Sequence, residues 1–267
     1  MRALRILVIL AVILGGLFVI ADRVAVGFAE DEAASRLRSS EGLSSTPSVS
    51  ISGFPFLTQV VGGELDDVKV GIKDYEVSTA GTAAAAAGSP VKIRIDDLNA
   101  EMRGVAFSSD YSSATAATAT GSASIAYDEL LKAAKAEPVQ VIPGVTAKVT
   151  GLSDGGNGKI KVAVEATVGK QSSPLSVLSS VRVEGDTVEV HADSIPTLGV
   201  QLAENKVRQI TDFKQKIDGL PGGIKLDQVK AAKNGVEISV KGSDVRLRRV
   251  GPSKDRTAVR RARRGCP

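Results

Sequence analysis

The hydrophobic pattern of this chain starts with one long apolar run and then changes to short alternating runs. Residues 6–21 contain no charged residue and follow Arg2 and Arg5. Further along, Val68, Val70 and Ile72 alternate with polar residues or glycine, and similar alternation occurs at 49–51, 91–95 and 160–164. A period of two predicts strands with one apolar face and one solvated face.

Turn residues between these runs predict hairpins. Asn157-Gly158 separates 149–152 from 160–168, Gly185-Asp186 joins two alternating runs, and Asn234-Gly235 precedes another. Glycine and asparagine tolerate the positive φ that tight hairpin turns require. Several hairpins indicate an antiparallel sheet.

Three segments have the composition or spacing of helices. Residues 22–40 should form a helix that ends at Gly42, and Asp128 is a suitable N-cap for a helix that Pro138 stops. Residues 199–218 place Val207, Ile210 and Phe213 on one apolar face, and packing against a sheet is the simplest interpretation. Two further stretches read as a long loop (79–90) and as a polar strand with a loop (108–124).

The N-terminal pattern predicts export. A positive segment before an apolar run is typical of a signal peptide or signal-anchor, with Ala21 or, more weakly, Ala29 at the cleavage position. A helix over 6–21 is about 24 Å long, somewhat less than the ~30 Å hydrocarbon core. The positive-inside rule places the rest of the chain outside the cytoplasm, in the membrane or envelope.

Composition excludes several kinds of chemistry. The chain has one histidine (His191), one cysteine (Cys266) and no tryptophan, so no His/Cys metal cluster or internal disulfide is expected. A Ser-His-Asp triad would have to use His191, the one histidine of the chain. We therefore expect a protein without cofactor or metal that is not an enzyme. Paired acidic residues at 66–67 and 96–97 leave an accessory enzyme of envelope glycan assembly as the remaining catalytic hypothesis.

The basic charge is concentrated at the C-terminal end. Residues 246–267 carry nine arginines and lysines against Asp255 alone, so the body is mildly acidic although the net charge is +4. With only nine aromatic residues, nucleic acid is not an expected partner. The chain divides into a leader (1–21), a single domain (22–248) and a basic, disordered tail (249–267). The tail either grips anionic lipid or wall polymer or only aids solubility.

Residues 53–63, GFPFLTQVVGG, stand apart from the strands. Pro55 excludes a strand interior, which predicts a turn or short helix that carries apolar residues. The segment is either a plug of the core or the lip of a hydrophobic cavity.

Five segments together carry a family resemblance. They are ISGFPFLTQ (51–59), GGELDDVKV (62–70), GSASIAYDEL (121–130), LPGGIKL (220–226) and NGVEISVKGSDVRL (234–247). In this order, after an exported helix, they resemble the LmeA-like phospholipid-binding proteins of actinobacteria over roughly 22–248. The resemblance implies an α+β fold of the tubular lipid-binding type, in which a curved antiparallel sheet wraps around a long helix. It also implies binding of phospholipid, including phosphatidylinositol, at the membrane surface, and a role in lipoglycan assembly.

The first functional hypothesis is a non-catalytic protein that holds phospholipid acyl chains in an apolar groove. The candidate lipid-binding residues are the cavity-mouth group Phe54, Phe56, Leu57 and Val60 and the floor group Val207, Ile210 and Phe213. The alternative is a structural envelope protein with a packed core, whose basic tail grips anionic polymer or membrane.

Overall fold

The computed structural model describes residues 2–78, 92–109, 113–133, 138–193, 208, 212–216 and 222–248. The described helices are α1 (Arg2–Glu41), α2 (Phe56–Gly62) and α3 (Tyr127–Ala133). The described strands are β1 (Ser48–Ser52), β2 (Glu64–Ser78), β3 (Lys92–Phe107), β4 (Ser113–Ala126), β5 (Val139–Ile142), β6 (Val145–Gly156), β7 (Lys159–Val168), β8 (Gln171–Glu184), β9 (Thr187–Ala192), β10 (Phe213–Lys216), β11 (Ile224–Ala231) and β12 (Gly235–Arg248).

The strands form two antiparallel sheets of six strands each. The order is β1-β2-β3-β4-β12-β11 in the first sheet and β10-β9-β8-β7-β6-β5 in the second. Together with the long helix, this confirms the predicted α+β class with a curved antiparallel sheet. The predicted hairpins are also confirmed: Asn157 and Gly158 have φ of 52° and 72°, and Gly185 has φ of 60°. Residues 232–234 connect β11 to β12.

Helix α1 joins the apolar leader and the predicted 22–40 helix into one continuous element. It ends at Glu41, and Gly42 follows with φ of 62°, as the sequence predicts. The most apolar 18-residue window of α1 has a mean hydropathy of 2.8 and buries none of its residues against the rest of the protein. By length and composition, α1 can cross a membrane.

The predicted helix at 199–218 is wrong over the stretch 213–216, which forms strand β10. Phe213 pairs with Val190 of β9 in that strand. Before it, the Asp212 carboxylate accepts the backbone N–H of Ala192 at 2.9 Å, and the N–H of Asp212 donates to the carbonyl of Arg208. Pairing with the free edge of β9 thus overrides the local helical periodicity.

Other predictions fall outside the described residues: Val207, Ile210, the loop at 79–90 and the tail at 249–267.

The first sheet contains a shift in the alternation of inward and outward side chains, which the sequence pattern does not predict. Leu65, Val105, Ala116 and Val245 form one buried row across four paired strands. The next inward row, Val68, Met102, Ala119 and Gly242, follows after three residues on each strand instead of two. Positive φ at Gly104 (57°) and Asp244 (51°), between the rows, permits this shift.

Two separate hydrophobic cores result. The first, here called the α2-end core, lies where α1 and α2 meet the first sheet; its buried members are Val26, Phe56, Leu65, Val105, Ala116, Ala119 and Val245. The second, here called the inter-sheet core, lies between the second sheet and β11–β12; its buried members are Tyr127, Val141, Ala147, Ile160, Val162, Val164, Leu226, Val229, Ala231 and Val236.

Candidate lipid-binding site

The two phenylalanines that flank Pro55 have different environments. Phe56 opens α2 and is 6% exposed in the α2-end core, whereas Phe54 is 59% exposed. Leu57 packs against the same core, and Val60 lies at the surface. Of the two predicted forms, a turn or a short helix, the structure has the short helix. The segment places the Phe56 ring inside the fold and the Phe54 ring outside it.

The start of α2 is capped by a residue from α1. The Asp22 carboxylate accepts the backbone N–H of Leu57 at 2.8 Å and also that of Phe56. These are N–H groups that lack a partner within a helix, and Pro55 before them offers no side-chain cap. Asp22 has no accessible surface. A carboxylate at this position also complements the partial positive charge of a helix N-terminus.

Two more contacts fix α1 to the same region. The Arg23 guanidinium donates to Asp22 at 2.6 Å and lies 5.3 Å from the centre of the Phe54 ring. One turn further on, Val26 enters the α2-end core, and the Glu30 carboxylate accepts the N–H of Ile51 at 2.6 Å. Residues 22–30 of α1 are therefore a structural part of the domain.

Between the two cores, the inward face of the first sheet carries a row of small and aliphatic residues. Val49, Val70, Ala100 and Gly121 are paired in one line across β1–β4, and we call them the middle row. They are half-buried, and the three with side chains belong to neither core. This row is an apolar surface that lies between the α2-end core and the inter-sheet core.

The opposite face of the same sheet has a polar groove of about 360 Å³. Its two side-chain rows are Ser50, Lys69, Glu101, Thr120 and Ser48, Gly71, Asn99, Ser122. The Arg103 side chain, which donates to Glu101, lowers the pKa of that carboxyl, so the groove contains an ionised carboxylate. The charged side chains of Lys69 and Glu101 make the groove a poor site for acyl chains, although Val70, Ala100 and Gly121 of the middle row also line it.

The acidic pairs do not converge. Asp67 lies opposite Arg103 and Asp97 lies opposite Lys73. These positions are six residues apart along β2, or about 20 Å. Within the described ranges, no group of three or more metal-ligating side chains occurs. This geometry gives no support to a metal-dependent glycan-assembly reaction at these residues.

His191 is held by its neighbours. Its Nδ1 lies 2.8 Å from an Asp212 carboxylate oxygen, and Arg208 donates to Nε2 at 3.2 Å. With Nε2 accepting, the neutral ring carries its proton on Nδ1 and donates it to Asp212. The histidine thus links β9 to the residues that lead into β10.

Comparison with known proteins agrees with this description. The model of the LmeA-like phospholipid-binding family matches residues 20–241. The chain belongs to this family. No curated protein and no solved structure matches it. As a member of the LmeA-like family, the protein is a phospholipid-binding protein, and its family is a lipid-binding one without known catalytic activity.

The family match starts at residue 20, just before the residues that dock α1 on α2. Of the candidate lipid-binding residues, the structure brings together Phe54, Phe56, Leu57 and Val60. Phe213 lies on the edge strand of the second sheet, in a different sheet from the one that carries α2. Lipid contact by any of these residues remains a prediction.

Sequence reasoning missed Asp22 and the middle row. One signal for Asp22 was available, because a lone acid directly after sixteen uncharged residues interrupts an otherwise apolar helix. The middle row gave a weaker signal, since Ala100 and Gly121 are small and Gly121 lies in the segment 108–124, which reads as a polar strand with a loop.

Proposed function

We propose that this protein holds phospholipid acyl chains along the middle row of the first sheet, on the outer side of the plasma membrane, without catalysing a reaction. The observation that supports this most directly is the half-buried apolar row between two filled cores in a chain of a phospholipid-binding family.

The chemistry of the row suits a hydrocarbon chain. Ala100 has a small side chain and Gly121 has none, and Val49 and Val70 supply an aliphatic wall. Val240 of β12 covers Gly121, because a Cβ added there would lie 2.9 Å from its Cγ2. Each methylene that leaves water gains about 0.8 kcal/mol, so aliphatic contact suffices to hold a lipid without any reacting group. Phe54 and Val60 lie at the α2 end of the same sheet, where a lipid would enter.

The charge pattern around α1 supports the proposed location. Arg2 and Arg5 precede the apolar part of the helix, while Glu30, Asp31 and Glu32 follow it. By the positive-inside rule, Arg2 and Arg5 favour an N-terminus in the cytoplasm, and both sheets would then lie in the envelope. Phosphatidylinositol is the phospholipid we propose to test first, since the family resemblance implies it.

The experiment uses the full chain, purified in mild detergent, with bound lipid identified by mass spectrometry. Exchange with vesicles of phosphatidylcholine that contain phosphatidylinositol measures uptake. We expect roughly one phospholipid per chain in both assays. A chain that remains lipid-free in both would contradict the proposal and favour the packed-core scaffold protein instead.

A pair of substitutions tests the position. Ala100→Leu places a leucine side chain in the middle row, while Thr120→Leu places the same side chain on the opposite face of the same sheet. We expect uptake to fall at least several-fold for Ala100→Leu and to stay unchanged for Thr120→Leu, with both variants checked for native circular dichroism. Equal uptake by the two variants would remove the middle row as the site.

A further inference from the structure

The apolar part of α1 ends in the sequence at two charged residues, but the fold covers both. Asp22 has no accessible surface, because it lies against the N-terminus of α2. Arg23 is paired with Asp22 and lies beside the Phe54 ring. The fold thus shields the charge of Asp22 from solvent and lipid, and the Arg23 side chain is half exposed.

After Arg23, exposed apolar side chains occur both on the face of α1 that points away from α2 and on α2 itself. Val24 and Phe28 are exposed, and Phe28 is 73% exposed. At 100° per residue they lie on the face of the helix opposite Asp22 and Val26, which dock on α2. On the docked side, α2 and the loop before it present Phe54, Val60 and Val61, of which Val61 is 89% exposed. We call these five residues the apolar collar.

With the collar residues included, the apolar length of α1 matches the thickness of a bilayer's hydrocarbon core. Residues 6–21 span about 24 Å as a helix, whereas the hydrocarbon core of a bilayer is about 30 Å thick. Extended to Phe28, the same helix spans about 34 Å, which is enough to cross with some tilt. Glu30, Asp31 and Glu32 follow directly and set the level at which α1 re-enters water.

We propose that the apolar collar lies in the outer leaflet of the membrane, so that α2 is immersed at the level of the lipid headgroups and upper acyl chains. The occupant of this surface is phospholipid of the leaflet that α1 crosses. The half-exposed Arg23 guanidinium lies at the headgroup level, where it can reach lipid phosphate while its stem stays in the apolar layer. This inference rests on the membrane orientation of the proposed function.

The immersion has a consequence for lipid transfer. The α2-end core forms one end of the first sheet, and the middle row begins directly beyond it. A phospholipid that leaves the outer leaflet at the collar would therefore have to pass along the filled α2-end core to reach the middle row.

The absence of tryptophan from the chain makes a direct test possible. Val61→Trp and Phe28→Trp each introduce a single indole on one side of the collar. Val168→Trp is the matched control, because Val168 is also an exposed apolar residue but ends β7 of the second sheet. Each full-length variant is reconstituted into phosphatidylcholine–phosphatidylglycerol vesicles with or without brominated acyl chains.

We expect brominated lipid to quench the Val61→Trp and Phe28→Trp emission at least twofold and both spectra to be blue-shifted. The Val168→Trp emission should be unquenched and typical of water. Quenching at position 61 no stronger than at position 168 would overturn the inference. The control also accounts for the general affinity of indole for membrane interfaces.

The phospholipid bound to the same purified variants, measured by mass spectrometry before reconstitution, distinguishes failure of this inference from failure of the proposed function. An unquenched Val61→Trp chain that still carries phospholipid would overturn the collar alone. A quenched chain that carries none and takes up none from phosphatidylinositol vesicles would overturn the lipid site and leave the collar supported.

Discussion

The two cores of this protein are completed in different ways. In the α2-end core, helix α1 supplies Val26, and its attachment depends on the polar contacts of Asp22 and Glu30. In the inter-sheet core, strands of both sheets meet through aliphatic residues such as Val162 and Leu226. The α2 end of the domain thus depends on the long helix that docks there, while the other end depends on strands of both sheets and on the short helix α3, which supplies Tyr127.

The two sheets also differ in how their strands depart from regular alternation. The first sheet changes its alternation at Gly104 and Asp244 and includes the alanine-, serine- and threonine-rich β4. In the second sheet β7 alternates regularly, with Ile160, Val162 and Val164 all buried. The change of alternation in the first sheet lies close to the proposed lipid surface, whereas the irregularities of the second sheet are bulges in β5 and β6.

The largest expected effect comes from Phe56→Ala. Loss of this buried ring should lower the free energy of unfolding by about 3–5 kcal/mol. Phe54→Ala, two residues earlier but exposed, should change it by less than about 0.5 kcal/mol. Urea unfolding of the full chain in micelles measures both. If hydrogen exchange shows that Phe56→Ala loosens β7 as much as α2, the two cores are one cooperative unit and the contrast between them fails.

Asp22→Ala should have the next largest effect, about 1–3 kcal/mol, because it leaves two buried N–H groups of α2 without a partner. Faster hydrogen exchange should appear in α2 and not in β7. The exposed Asp31, on the same helix, supplies the control variant Asp31→Ala, which should be neutral. Uniformly faster exchange across both sheets would show that Asp22 stabilises the whole domain and not one end of it.

Gly104→Ala should cost about 1–2 kcal/mol. Its φ of 57° is unfavourable for any residue with a Cβ, and the added atom would lie 3.0 Å from the Ala117 Cβ. Gly151→Ala on β6 meets only ordinary contact at 3.6 Å and should cost less than half as much. Similar thermal shifts for the two variants would mean that the change of alternation in the first sheet carries no particular strain.

The smallest effect is a pH dependence at α3, next to the inter-sheet core. The hydrogen bond from Lys132 at 2.6 Å, followed by that from the Arg94 N–H at 3.2 Å, lowers the pKa of Glu129. A carboxyl whose pKa is lower in the folded chain stabilises the fold at neutral pH, and this contribution disappears as the pH falls from about 4.3 through the folded pKa.

Glu129→Gln removes this titration. The wild-type chain should therefore lose more stability than the variant in that acidic window, with the loss located at α3 and β3 by hydrogen exchange. Parallel pH profiles of the two proteins would contradict the assignment.

Local signals made much of the fold predictable. Asn157-Gly158 and Gly185-Asp186 determine their turns through positive φ, and Gly42 ends α1 for the same reason. Such features depend only on neighbours in the chain, so they can be read from it.

What could not be predicted depends on distant partners. Residues 213–216 join β9 because its edge is available, a fact that their own helical spacing does not contain. Asp22 meets α2 only through the fold, and the change of alternation at Gly104 is matched by Asp244 on another strand. For the candidate site, nothing local distinguishes Phe54 from Phe56 on either side of Pro55, although one is outside and one is inside.

Strand β12 determines when the molecule can finish folding. It pairs with β4 and β11, and it gives Val245 to one core and Val236 to the other. It is also the last of the described strands to be synthesised. Neither core can close before this strand has emerged, so the chain folds late relative to its synthesis and depends on contacts of long sequence separation. Until then the apolar faces of its alternating strands are uncovered, and this is the stage at which the chain is most prone to aggregate.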